Sequence, residues 1–110
     1  MLLQEISYPC RRFNARITPL RDVWVYWSCN GRDDVSRTSD LSFGGVFLET
    51  KLLRSVGTPT KIDFLVDEGQ IRAEAVIRHV RPGLGFGLKF VAVTEQDRPR
   101  LAALFRRLRR

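Results

Sequence analysis

The sequence is short of nearly every residue type on which catalysis and metal chemistry depend. It has one histidine, His79, and two cysteines, Cys10 and Cys29, with no neighbouring Cys or His at metal-ligand spacing. A zinc site or a Cys–His nucleophilic pair is therefore poorly supported, and no acid–base constellation can be assembled for an enzyme. No run of about 18 apolar residues exists to span a bilayer. The opening MLLQEISYP carries a glutamate and lacks the long apolar stretch of a secretory signal. Internal repeats and low-complexity tracts are also absent. These absences point to a soluble, cytoplasmic, non-catalytic protein without a metal or cofactor, its two thiols reduced and one of them buried.

Acid is missing from one place in particular. The net charge is +7, but residues 1–97 hold thirteen Lys and Arg against twelve Asp and Glu, a net of +1. Residues 98–110 hold six arginines and no acid. A basic protein of this size invites a nucleic-acid reading, and a nearly neutral body with one basic end weakens it.

What is present is β-pattern. At 110 residues the chain is one domain with room for a core. VWVYWSC (23–29) is apolar on both alternating faces and reads as a strand covered on both sides. NGRDD follows with an Asn-Gly turn signal, and 34–40 reads as an exposed strand. GVFLETK (45–51), TKIDFLVD (60–67), IRAEAVIRHV (71–80) and FGLKFVAV (86–93) supply the remaining strands, separated by Gly- and Pro-bearing turns. About six short strands with no intervening helix suggest a small antiparallel barrel, in which closure removes exposed edges.

The two ends differ from this body. Residues 1–21 form the only candidate linker. Residues 94–110 place Leu101, Leu104, Phe105 and Leu108 on one helical stripe with arginines elsewhere. Thr94 with Asp97 resembles a capping box, and Asp97 as N-cap with Pro99 in the first turn is the other option. The arginines suit a solvated helix C-terminus, where the macrodipole favours cations. The expected organisation is thus a flexible segment 1–21, a barrel 22–93 and a basic amphipathic helix 94–110.

Two short motifs carry chemistry. RRFNAR (11–16) puts Arg11, Arg12 and Arg16 in the N-terminal segment. In extended chain Arg12 and Arg16 stand up to roughly 13 Å apart, enough to embrace a ligand. Guanidinium forks pair bidentately with phosphate and with the O6/N7 edge of guanine, and they stack on bases. Taken alone, the cluster also reads as a solvated surface patch. In DLSFGG (40–45), Asp40 and Ser42 project to one side of an extended strand. Asp40 can accept from the N1–H and N2–H₂ edge of guanine, and Ser42 can donate to a phosphate or base. Gly44 and Gly45 permit positive φ or close approach of a ligand to the backbone. Taken alone, this too is ordinary turn chemistry. His79 is in phase with the inward residues of its strand and reads as a rim or core histidine before a ligand contact. Trp24 and Trp27 read as packing residues.

The combination is more specific than its parts. R-x-x-x-R (Arg12, Arg16), then D-x-S-x-x-G (Asp40, Ser42, Gly45) across an aromatic strand, resembles the PilZ domain family. GLGFGLKFV (83–91) and the helix after it are similar to that family's last strand and C-terminal helix, so the resemblance covers residues 8–108. It implies an all-β fold, a six-stranded antiparallel barrel with one C-terminal α-helix, and binding of cyclic di-GMP, a bacterial second messenger. It further implies that the arginine loop folds over the ligand while the D-x-S-x-x-G strand supports a guanine. Arg11, immediately before R-x-x-x-R, is similar to the extra arginine of members that bind a stacked cyclic di-GMP dimer, and this implies two ligands per protomer. The effect would then pass to a protein partner whose identity the sequence does not give. The competing readings are a PilZ-type module used only for protein contact, and a small basic barrel binding single-stranded nucleic acid.

Overall fold

In the computed structural model, which describes residues 3–5 and 23–109, the alternating stretches become seven strands and one helix. β1 is Leu3–Glu5, β2 Trp24–Cys29, β3 Arg32–Ser42, β4 Gly45–Glu49, β5 Pro59–Leu65, β6 Ile71–Arg81, β7 Gly85–Thr94, and α1 Arg98–Leu108. Asn30 and Gly31 join β2 to β3 with φ of 53° and 75°. Those are the left-handed values that a two-residue type I′ hairpin demands, and Asn-Gly supplies them at least cost.

All pairings are antiparallel, in the order β7-β4-β3-β2-β5-β6, and the β6–β7 pairing closes the ring. The result is a six-stranded barrel with one C-terminal helix. β1 adds to β7 beside Ala92–Thr94. It falls within the stretch read from sequence as a linker, where three residues carry too little periodicity to signal a strand.

The barrel interior is filled by alternate residues, among them Trp27, Leu41, Leu48, Ile71, Ile77 and Phe86, all wholly or almost wholly buried. Trp27 meets Phe86 edge to face, at 5.4 Å and 85°. Its indole N–H is satisfied inside the barrel by the Ser36 hydroxyl at 2.9 Å, and the Thr38 hydroxyl donates to the Val23 carbonyl at 3.1 Å. Small hydroxyl residues here line the core beside a large indole, so 34–40 is only half exposed rather than an exposed strand. The reading of 23–29 also needs correction. Its outer face is not covered: Trp24 lies 38% exposed beneath the Arg37 guanidinium, and Tyr26 is 40% exposed with its hydroxyl donating to Asp33 at 2.6 Å. Aromatic residues with a polar or cationic partner tolerate a half-wet outer face. Cys29 is buried and not in a disulfide.

The helix adds its Leu101, Leu104 and Phe105 to the same core, with Leu108 partly buried at its edge. Asp97 is the N-cap, yet its carboxylate makes no cap bond. It is fully buried and accepts from the Arg72 backbone N–H, the Arg72 Nε and an Arg100 Nη, each at 3.0 Å. The Thr94 hydroxyl instead accepts from the Asp97 N–H at 3.2 Å, the threonine half of a capping box. Burial works to raise the pKa of Asp97. The hydrogen bonds from Arg72 and Thr94 and the charge of Arg72 outweigh it and hold the carboxyl below the usual aspartate range. Further along, Arg107 forks onto Glu68 at 2.5 and 3.1 Å. Part of the C-terminal basic charge is thus used to fasten the helix, while Arg106 and Arg109 remain exposed. Among the described residues, no helix is long and apolar enough to cross a membrane, and no cluster of His, Cys, Asp and Glu could hold a metal ion.

Candidate functional site

Two interruptions of register create the site. Along β3, Ser36 and Thr38 point inward, and strict alternation would send Asp40 inward after them. Instead Thr38 pairs with Leu48 and Asp40 with Phe47, so β3 spends one extra residue, Ser39, against β4. This bulge reverses the phase: Leu41 becomes fully buried, and Asp40 and Ser42 face outward. The same happens on β6. Ile77 pairs with Leu88 and His79 with Gly87, leaving Arg78 as the extra residue. Ile77 stays in the core, while His79, in phase with it by simple alternation, is turned out and exposed.

The register then aligns the outward residues in a transverse row across four strands: Asp40 on β3, Phe47 on β4, Gly87 on β7 and His79 on β6. Three strand spacings separate the ends of the row, roughly 14 Å. Ser42, Gly45 and Lys89 form the next row. Together with Arg78 and Arg81, these residues line a pocket of about 390 Å³ in which Asp40 is the sole carboxylate among the described residues. A carboxylate stands on one wall, and three permanent cations and an imidazole stand on the other. Such a site fits a ligand that carries both a donor edge and anionic groups.

Ser42 shapes the turn it begins. Its hydroxyl oxygen accepts from the Gly44 and Gly45 N–H groups at 3.1 and 3.2 Å, while its proton has only a long contact, 3.5 Å, to the Gly45 carbonyl. Gly44 and Gly45 are not among the positive-φ glycines. The need at Gly45 is for closeness to the neighbouring strand, because a Cβ there would lie 2.1 Å from the Leu88 carbonyl oxygen. Between Ser42 and Gly44, Phe43 leaves the sheet and stacks on Phe105 of the helix, with centroids 4.0 Å apart and planes at 25°. The hairpin and α1 are thereby in direct contact.

The structure brings Asp40, Ser42, Gly44 and Gly45 to one pocket. Arg11, Arg12 and Arg16, like Cys10, lie outside the described residues. Trp24 and Trp27 are not among the pocket's lining residues, and Trp27 packs as expected. His79 is exposed at the edge of the pocket, so of the rim and core positions read from its place in the strand it takes the rim. The opposite wall, Phe47, Arg78, Arg81, Gly87 and Lys89, was not singled out from sequence. Gly87 in mid-strand was the available signal, since an interior strand glycine marks a close approach. The approaching group is the imidazole of His79.

Compared with known protein families, the chain matches the PilZ domain over residues 11–107, nearly its whole length. No curated protein gives a match.

Proposed function

Because the chain belongs to the PilZ domain family, a family of cyclic di-GMP-binding domains, we propose that it is a non-catalytic cyclic di-GMP receptor of the cytoplasm. In this reading Arg12 and Arg16 close over the dinucleotide while the β3–β4 hairpin holds a guanine. The observation that carries it is the outward turn of Asp40 at the Ser39 bulge, which presents its carboxylate in a pocket that Arg78, Arg81 and Lys89 also line. A carboxylate matches the two donors of the guanine Watson–Crick edge, and guanidinium groups match phosphates and the O6/N7 edge. The Ser42 hydroxyl serves first by fixing the turn that carries Asp40, and its weakly held proton is available to a phosphate.

Arg11 adds a third guanidinium beside the R-x-x-x-R pair, which supports a stacked pair of ligands in place of one. Closure of the arginine segment over the ligand changes the surface shown to a protein partner. The Phe43–Phe105 stack gives the same event a route to the helix.

Isothermal titration calorimetry tests this directly. Wild type is expected to bind cyclic di-GMP with micromolar or tighter affinity and two ligands per chain. Arg12→Ala, Arg16→Ala and Asp40→Ala are expected to lose binding, and Arg11→Ala to bind one ligand. A folded wild type that binds none would sink the proposal. It would favour the second reading, a module acting only through protein contact. That reading draws on the half-wet apolar face of Trp24, Tyr26, Val35 and Leu65, where Trp24 pairs with Leu65 and Tyr26 with Val35.

A further inference from the structure

The ring of His79 is held in an unusual way for an exposed histidine. The bulge at Arg78 turns it out of the barrel, and a glycine lies beneath it. A Cβ on Gly87 would sit 2.2 Å from Cε1 of the ring and 2.6 Å from Nε2, so the imidazole occupies the space a side chain would fill. On its flank stands Phe47, with centroids 5.9 Å apart and planes at 30°. The Arg81 guanidinium lies over the same phenyl ring, 5.5 Å from its centroid. Phe47 is itself 9% exposed and firmly packed. The imidazole is therefore backed by backbone and by an aromatic ring, while the rest of it is exposed to the pocket that Asp40 and Ser42 share.

A surface histidine with no ligand role has no need of a glycine cradle, an aromatic backing and a bulge to aim it. We propose that His79 is a nucleobase-stacking platform, set on the β6–β7 wall opposite Asp40, and that Gly87 is present to seat it. This deepens the receptor reading and rests on it. Asp40 reads a base by its hydrogen-bonding edge, and His79 holds a base by its face. The roughly 14 Å between the row's ends suits a ligand bearing two bases better than one bearing a single base. A stack on a seated ring costs little side-chain entropy, because Gly87 and Phe47 have already restricted the imidazole.

The test is calorimetry with cyclic di-GMP on the full chain, with circular dichroism and thermal melts confirming the barrel in each variant. His79→Ala is expected to bind about tenfold more weakly, the loss of one base–aromatic stack, and His79→Phe to keep most of the affinity. Gly87→Ala is expected to weaken binding to the level of His79→Ala by displacing the ring. The double variant Gly87→Ala/His79→Ala is expected to match His79→Ala alone, because the new methyl then displaces nothing. His79→Ala binding within twofold of wild type, while Asp40→Ala loses binding, would overturn this inference and leave the receptor reading intact. Failure of His79→Phe to retain affinity would also overturn it, because stacking would not be the contact. A wild type that binds no cyclic di-GMP overturns both.

Discussion

The two ends of β6 use arginine in opposite ways. At its start, Arg72 donates from both backbone and side chain to a fully buried carboxylate, Asp97, and fastens the helix to the barrel. At its other end, Arg78 and Arg81 make no ion pair among the described residues and stand exposed at the pocket. Arginine at one end satisfies a charge the fold has taken out of water. At the other it is not clamped by an acid among the described residues and faces the pocket. A cation left without an acid partner beside a cavity is the stronger pointer to an anionic ligand, and a cation clamped on a buried acid points to architecture.

The sharpest way to break this contrast is to disturb the pocket floor through packing alone. Gly45→Ala places a methyl against the Leu88 carbonyl, so β4 and β7 must separate. A loss of about 3 kcal/mol in urea denaturation is expected, with binding lost as well, since no flexible side chain can yield there. Removing the clamp comes next. Asp97→Ala is expected to cost about 2–3 kcal/mol, the range for charge-assisted hydrogen bonds on a buried acceptor. Cyclic di-GMP affinity measured well below the melting temperature should be unchanged. If affinity falls with it, the two ends of β6 are coupled and the contrast fails.

Acid titration isolates the same clamp. Asp97 is held below its ordinary pKa by the folded structure, so its stabilising contribution is complete above the unfolded aspartate pKa. It is lost as pH falls through the folded value. The stability difference between wild type and Asp97→Asn should therefore be flat at neutral pH and shrink only in acid, as read by denaturation across pH. The smallest stability effect belongs to the pocket end. Arg81→Ala should move stability by less than about 0.5 kcal/mol, as exposed residues do. It should nevertheless weaken cyclic di-GMP binding and flatten its salt dependence, measured by calorimetry at several ionic strengths.

The sequence and the structure agree best where alternation runs unbroken. Ile62 and Phe64, Ile71 to Ile77, and Phe86 to Phe90 were readable as inward faces because nothing interrupts period two and glycine-bearing turns bound each run. They part where a strand carries an extra residue. His79 continues the inward phase of Ile71 to Ile77 on paper, and only the pairing of two strands shows that Arg78 has been skipped. Asp40 and Ser42 were legible as a pair because a bulge before both leaves their relative direction intact. The opposite wall was not legible, since Phe47, Gly87 and His79 meet through register between segments far apart in the chain. Asp97 was correctly placed at the helix start, but a local motif could not show that its carboxylate turns away from the helix to Arg72. Trp24 and Tyr26 misled through composition: their partners, Arg37 and Asp33, lie across the hairpin.

The Ser39 bulge bears on engineering. The hexapeptide Asp40–Gly45 is not a portable unit. Grafted onto a barrel whose preceding strand lacks the extra residue, it would bury the aspartate and expose the leucine. A transplant must begin no later than Thr38, and it must keep Gly45 itself, because the Leu88 carbonyl of the adjoining strand leaves no room for a Cβ. Insertions or deletions of one residue within 36–41 act on this protein as changes of face, with consequences greater than those of any single substitution at the motif itself.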